Sequence, residues 1–318
     1  MMLKIPERKH STAVVYSSAK EDEPGKRKMS RRTFILSLIG GAVAVPAVLG
    51  SYARWLEPAW LQDRELTCYL DRLPPSFDGL RIAHISDLHY RNQGGIGEVE
   101  RLLERVLAKQ PDIICLTGDA VDRRLDNRTS ESEFVRVLSR FRAPLGQYAV
   151  LGNHDYSRGE DLATRLLHEA GFDVLTNTNR VLEARGAKLA LAGIDDALDG
   201  SPDLNQALAG IPSGTCCVLL AHEPDVADWT LGHEVDIQLS GHSHGGQMRV
   251  PFIGPVLLPQ LGEKYPDGKY ILSRQASDAP LHTPLTLYTS RGSGTSLLPL
   301  RFYCPPEWTM ITLRVVAV

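Results

Sequence analysis

Five short stretches of the chain carry residues suited to metal chemistry. They are Asp87-Leu88-His89, Gly118-Asp119 with Asp122 close behind, Gly152-Asn153-His154-Asp155, His222, and Gly241-His242-Ser243-His244-Gly245-Gly246. The donors are carboxylates, imidazoles and one carboxamide, with no thiolate. Such a set suits Mn, Fe or Zn in a hydrolytic site better than a closed structural zinc. Two ions about 3.5–4 Å apart need a bridging carboxylate, and Asp119 is expected to bridge, its charge lowering the repulsion between two dications. A hydroxide shared by both ions, available near neutral pH, would then attack phosphorus in line with the leaving oxygen. In the last stretch two imidazoles stand two residues apart among glycines. On an extended backbone their side chains alternate, so a glycine-permitted turn is expected to bring both rings to one place.

Positioning these residues requires strands that end where they begin. An apolar run at 80–86 precedes Asp87, a second at 112–117 precedes Asp119, and a third at 147–151 precedes Asn153. The run 216–221 precedes His222, and 235–240 precedes His242. Each candidate therefore follows the carboxyl end of a strand, where α/β sheets gather their sites. Between the runs, Val99, Leu102, Leu103, Val106 and Leu107 repeat at helical spacing and stop at Gln110-Pro111. Ser130-Glu131-Ser132-Glu133 reads as a capping box before Phe134, Val137, Leu138 and Phe141. A helix with Leu162, Leu166 and Leu167 ends near Gly171, and 180–183 with 188–194 form a hairpin across 184–187. Strand-like runs at 285–290 and 309–316 follow a segment rich in Pro, Gly and Tyr. The expected class is α/β, with mixed sheets and helices outside.

The 318 residues are 43% hydrophobic, enough for one large core or two modest domains. Net charge is −3, but residues 1–32 hold nine Lys/Arg against four Asp/Glu, so the rest of the chain carries −8. An acidic body argues against nucleic acid held on a broad basic face. The odd count of five cysteines, without CxxC spacing, gives neither a zinc knuckle nor a disulfide framework. A Cys68–Cys304 bridge stays open for an exported protein. Residues 1–29 read as a disordered basic lead. Residues 30–53 follow as signal or anchor, 54–79 as a linker and first strand region, and 80–318 as the catalytic domain. Ser30-Arg31-Arg32-Thr33-Phe34 before an apolar run to Tyr52 resembles a twin-arginine export signal, although Ile35-Leu36 stands where Leu-Lys often does. The run is nearly the ~20 residues that span a bilayer. Ser51-Tyr52-Ala53 offers a signal peptidase site, so a cleaved signal and an uncleaved anchor stand equal. Either places the body outside the cytoplasm, in the periplasm or cell envelope.

Taken in order, Asp87-x-His89, Gly118-Asp119-x-x-Asp122, Gly152-Asn153-His154-Asp155, His222 and Gly241-His242-x-His244 resemble the calcineurin-like metallophosphoesterase superfamily over residues 80–247. The closing run resembles an exported or membrane-attached branch related to YkuE and YaeI, through Arg291-Gly292-Ser293-Gly294-Thr295, Leu300-Arg301-Phe302 and Pro305-Pro306-Glu307. That branch is similar to enzymes that split the pyrophosphate of UDP-2,3-diacylglucosamine. The resemblance implies a four-layer α/β/β/α sandwich with two mixed sheets. It implies that Asp87, His89, Asp119 and His244 hold one divalent ion, and Asp119, Asn153, His222 and His242 the other. His154 would stay off the metals and donate to the phosphoryl oxygen or protonate the leaving group. Asp122 would orient that imidazole; Asp155 is an open alternative.

The implied function is hydrolysis of a phosphodiester, phosphomonoester or pyrophosphate, with a lipid- or nucleotide-linked substrate as one option. UDP-2,3-diacylglucosamine fits the branch but is a cytoplasmic metabolite, whereas the signal sends this body outward. The alternative is a membrane-tethered, non-enzymatic binding or scaffold protein on the same fold, and every motif being complete weighs against it. A zinc peptidase or metallo-β-lactamase would need HExxH or HxHxDH, and neither occurs. Arg91, Arg123, Arg124, Arg158, Arg291 and Arg301 stand as phosphate-clamp candidates against a solvated surface. His84 reads as core or second layer, and Asp195-Asp196 as the end of a hairpin strand with no ligand role.

Overall fold

Apolar side chains alternate across the strands, and this alternation builds two sheets packed face to face. The computed structural model describes residues 30–90, 95–122, 128–157, 159–184, 186–274 and 283–316, with backbone alone for 37–41. The strands are β1 (Gln62–Leu70), β2 (Arg81–Ile85), β3 (Ile113–Thr117), β4 (Gln147–Val150), β5 (Asp173–Val174), β6 (Thr178–Ala184), β7 (Ala187–Gly193), β8 (Cys216–Leu220), β9 (Ile237–Ser240), β10 (Arg249–Val250), β11 (Gly254–Pro255), β12 (Gly268–Leu272), β13 (Leu285–Thr289) and β14 (Glu307–Val315). The helices are α1 (Arg31–Ser51), α2 (Ile96–Ala108), α3 (Arg128–Leu138), α4 (Asn153–Tyr156), α5 (Glu160–Glu169), α6 (Leu204–Leu208) and α7 (Ala227–Thr230).

The first sheet has the order β1-β14-β2-β3-β4-β5 and the second β12-β13-β9-β8-β7-β6. In the first, β2 to β5 run parallel, while β14 is antiparallel to β2 and parallel to β1. In the second, β7, β8, β9 and β13 are parallel, flanked by antiparallel β6 and β12. Both sheets are therefore mixed. Between them lie Ile82, Ile113, Cys115 and Val150 from one side and Leu191, Val218, Leu220 and Leu239 from the other. The opposite face of the first sheet, with Ala83, Ile114 and Leu116, packs on Leu102, Leu103, Phe134 and Leu166 of α2, α3 and α5. The outer face of the second, with Ala190, Ala192 and Leu219, packs on Ala207 and Ala227 of α6 and α7. The layers run α/β/β/α.

Three local expectations change. Helix α3 already begins at Arg128, so Ser130 sits inside its first turn rather than at a cap. β12, absent from the periodicity reading, closes one edge of the second sheet because pairing with β13 outweighs its weak local pattern, while β1, inside the segment read as a linker and first strand region, closes one edge of the first beside β14. The Cys68–Cys304 bridge does not form: all five cysteines are free and buried, and the Cys304 thiol donates to the His244 carbonyl.

The described residues divide into two units between Ala47 and Val48. Over α1 the described side chains are exposed. Among the described residues no helix is long and apolar enough to cross a membrane.

Candidate metal centre

The parallel pairing of β2 with β3 continues past the strand ends. Asp87 N–H donates to the Gly118 carbonyl, His89 N–H to Asp119, and Tyr90 N–H to Ala120. This pairing holds the two loops side by side and brings their acids together. The backbone pays no attention to ordinary preferences here: Asp87, His89, Asp119, His242 and His244 all have positive φ, between 45° and 68°. L-residues rarely adopt that region, and each such residue costs on the order of 1–3 kcal/mol. The 241–246 stretch is correspondingly not extended. His242 and His244 are left-handed with Ser243 right-handed between them (φ −69°, ψ −21°). That zigzag, rather than a single glycine turn, separates the directions of the two rings.

Glycines permit the close approach of the two sheets. A Cβ on Gly241 would lie 1.8 Å from Ser86 Oγ and 2.3 Å from Asp87 Oδ2. One on Gly152 would lie 2.4 Å from Asp119 Oδ1 and 2.7 Å from His222 Nε2. Across this contact the Asp87 carboxylate accepts from His242 N–H at 3.1 and 3.2 Å. Asp155, a rival for orienting His154, is buried and accepts from the N–H groups of Gly152, Ala120 and Val121. Its carboxylate ties the loops after β3 and β4.

Donor atoms of Asp87, His89, Asp119 and His244 lie within 4.8 Å of one another, as do those of His89, Asp122 and His154, and those of His222, Glu223 and His242. His89 Nε2 is 2.9 Å from His244 Nε2 and 3.4 Å from Asp119 Oδ2. His222 Nε2 is also 3.4 Å from Asp119 Oδ2, and His244 Nε2 is 3.4 Å from Asp87 Oδ1. Ligands at about 2.1 Å from one ion stand about 3.0–3.4 Å apart around it, so these separations are those of a coordination shell. Asp122 Oδ2 lies 3.9 Å from His89 Nδ1.

Orphaned polar atoms supply the test of fit. Asn153 Oδ1 and His222 Nε2 are buried with no hydrogen-bond partner in the protein. Buried polar atoms are rarely left so. His222 Nδ1 faces the Thr117 carbonyl at 2.8 Å, which makes Nδ1 the donor and leaves the Nε2 lone pair bare. His242 Nε2 faces the Gln260 carbonyl at 2.9 Å, which leaves Nδ1 as the lone pair. Carbonyls of this kind fix the tautomer of metal-binding imidazoles. The donor set therefore fits divalent ions.

Electrostatics agree. Burial pushes His89 down to about 3 and His242 to about 4, and holds His244 well below its ordinary value, so these rings are neutral, the ligand form. Burial opposes charge on Asp119 too, but His222 and His89 beside it keep its carboxyl well below the usual range. His222 shows the converse: burial disfavours its cation, yet Asp119 raises it well above the usual imidazole value. A proton there offsets the charge that a second dication would offset. Burial, with Asp119 close by, pushes Asp87 up to about 7.

Several neighbours lay outside the motif reading. Glu223 follows His222 directly, and burial and Asp196 push its carboxyl well above the usual range. Ser296 Oγ stands 3.3 Å from His154 Nε2. Only adjacency in sequence could have flagged Glu223, and nothing local points to Ser296. Of the phosphate-clamp candidates, Arg291 is buried and paired with Glu307 at 2.5 Å. Arg301 is buried and donates to the carbonyls of Arg291, Gly292, Gly294 and Cys304. Both hold the tail turn against the site, so neither is a free clamp nor a solvated surface residue. Arg91, Arg123, Arg124 and Arg158 lie outside the described residues. His84 is buried and meets Thr117 Oγ1 at 2.8 Å.

The family described as calcineurin-like phosphoesterase matches residues 80–246. The uncharacterized metallophosphoesterase YkuE of Bacillus subtilis is 34% identical over 293 residues, 91% of this chain and 99% of that protein. Phosphodiesterase YaeI of Escherichia coli is 30% identical over 293 residues, 90% and 99% of the two chains. A transmembrane protein with metallophosphoesterase domain of Danio rerio is 30% identical over 312 residues, 94% of this chain and 66% of that protein. Two packed mixed sheets, a cluster of acids and imidazoles at their strand ends and this likeness along nearly the whole chain lead to one conclusion: the chain belongs to the calcineurin-like metallophosphoesterase family, hydrolases that use two divalent metal ions.

Proposed function

We propose that Asp87, His89, Asp119 and His244 hold one ion and that Asp119, Asn153, His222 and His242 hold the other. The observation that carries this reading is the place of Asp119 Oδ2, 3.4 Å from His89 Nε2 and 3.4 Å from His222 Nε2. Bound there, two divalent ions supply Lewis acidity and lower the pKa of a water near neutral pH. His154 stays off the ions. Its backbone N–H donates to Asp119 Oδ1 at 2.9 Å, fixing the residue beside the bridge, and its Nε2 meets Ser296 Oγ. From that position the ring donates to a phosphoryl oxygen or protonates the leaving oxygen. Asp122, beside His89 and His154, orients the imidazole, since Asp155 is engaged with backbone amides.

The substrate is a phosphodiester, phosphomonoester or pyrophosphate of the cell envelope, with a lipid- or nucleotide-linked phosphate as one option; the phosphodiesterase name of the Escherichia coli relative favours the diester. Residues 30–53 direct or anchor the chain through the twin-arginine pathway, and 80–318 supply the catalysis. Full-length protein loaded with Mn²⁺ should hydrolyse bis-p-nitrophenyl phosphate. His154→Ala should retain two metal ions by elemental analysis and lose roughly 10²–10⁴-fold in turnover. Loss of metal in that variant would reassign the residue, and no turnover by the wild type with any divalent metal would overturn the reading. For export, Arg31-Arg32→Lys-Lys should leave the protein in the cytoplasmic fraction; an unchanged location rules out that route.

A further inference from the structure

Outside α1, every large apolar side chain exposed among the described residues belongs to three segments, except Tyr69, Trp229 and Ile271. The segments are 53–60, 248–257 and 296–303, far apart in sequence and tied into one web. Arg301 N–H donates to the Ala53 carbonyl and Tyr303 N–H to Glu57. Phe302 pairs with Met248, and its ring meets Tyr52 edge-on at 6.1 Å. Gln247 Nε2 donates to the carbonyls of Ser296 and Leu298. The web presents Trp55 (64% exposed), Phe252 (105%), Ile253 (82%), Leu257 (75%) and Leu297 (72%) to solvent. Phe252 and Leu297 also hold positive φ, 67° and 55°, a region that L-residues adopt at a conformational cost.

This surface borders the metal centre. A Cβ on Gly246 would meet Pro255 Cβ at 2.3 Å and the Leu257 carbonyl at 3.1 Å. The Gln260 carbonyl that orients His242, and Ser296 beside His154, belong to the same or adjoining turns. Exposed apolar patches of this kind mark an interaction face.

We propose that the apolar rim formed by 53–60, 248–257 and 296–303 docks on a lipid bilayer and so sets the metal centre at the membrane surface, facing substrate phosphates at headgroup level. The occupant is a bilayer because the chain enters the rim straight from the apolar stretch that ends at Tyr52, so whatever lipid receives that stretch lies next in sequence to Trp55. The composition agrees. Trp55 with the Arg54 guanidinium 5.9 Å from its ring, Trp60 and Tyr303 are the aromatic and basic types that settle at headgroup depth. The inference rests on the phosphoesterase reading of the same site and names where its substrate is met.

All native cysteines are buried, so single exposed thiols can be labelled selectively. Full-length Phe252→Cys, Leu297→Cys and, on exposed Glu183 at the edge of the second sheet, Glu183→Cys carry a polarity-sensitive fluorophore and are reconstituted in vesicles of equal phosphatidylglycerol and phosphatidylcholine. The expected result is a blue-shifted label at 252 and 297, quenched at least about twofold by lipid spin-labelled near the headgroup, with the label at 183 unchanged. Unquenched labels at 252 and 297 on protein that floats with the vesicles overturn the docking. Disulfide pairing of Phe252→Cys between two chains without lipid quenching makes the occupant a second copy and overturns it too. Turnover of bis-p-nitrophenyl phosphate by the same samples reports the hydrolase separately: turnover without quenching removes only the docking, and quenching without turnover removes only the hydrolase.

Discussion

The two sheets meet the metal centre with opposite chemistry. Behind β2, β3 and β4 the first sheet supplies Asp87, Asp119 and Asn153, with His89 the one imidazole among its proposed ligands. Behind β8 and β9 the second sheet supplies only imidazoles as its proposed ligands, His222, His242 and His244, with the Glu223 carboxylate grouped beside His222 and His242. Neither end makes a site alone. The first would gather like charges without cations, and the second would lack the Asp119 carboxylate that faces His222. Asp119 joins them, next to a nitrogen of each sheet, and the close approach at Gly241 sets how near the ends come.

The largest test of this division is Asp119→Asn. Losing the shared charge should release metal on both sides and cut turnover of a soluble diester by roughly 10³-fold or more, beyond the 10²–10³ that loss of one transition-state donor costs. Retention of one full equivalent of metal would show that the sheets bind independently. Gly241→Ala acts on geometry alone. Its methyl would collide with Ser86 Oγ and Asp87 Oδ2 and move one sheet end against the other. A displacement near 1 Å costs about 10² in rate, so turnover should fall by about that factor while the protein stays folded by circular dichroism. Unchanged turnover would mean that the sheet spacing is not what holds the centre.

The smallest effect is on stability. His84 lies in β2 beneath the loop, and burial pushes it down to about 3. The native state holds this ring neutral, whereas the unfolded chain takes up a proton below about 6.5. Its contribution is therefore complete above pH 6.5 and declines as pH falls toward 3. At pH 5 the deficit is on the order of 2 kcal/mol. His84→Gln should flatten the loss of denaturation midpoint between pH 7 and pH 5 relative to the wild type. A parallel loss in both proteins would assign the acid sensitivity to the imidazoles of the site instead.

Much of this arrangement is legible in the chain. Apolar runs before Asp87, Asp119, Asn153, His222 and His242 become β2, β3, β4, β8 and β9, because a strand buried on both faces writes itself as a continuous apolar run. Helix α2 is equally plain from Val99, Leu102, Leu103 and Val106, all buried on one face. Edge strands are harder to read. In β12 exposed and partly buried residues alternate, and in β1 only Cys68 and Leu70 are buried, so partner strands decide their conformation. The tail arginines read locally as solvent-facing or phosphate-facing cations, whereas the fold surrounds Arg301 with carbonyls.

The sequence by itself determined which residues offer metal-binding donors and that each follows a strand, since donor type and apolar periodicity are local properties. Only the tertiary structure decided that Asp119 faces both His89 and His222, that Asp155 is spent on backbone amides, that Ser296 reaches His154, and that three distant segments share one apolar rim. These are relations between residues tens to hundreds of positions apart, and they exist only once burial of the inter-sheet core has brought the two sheets into register.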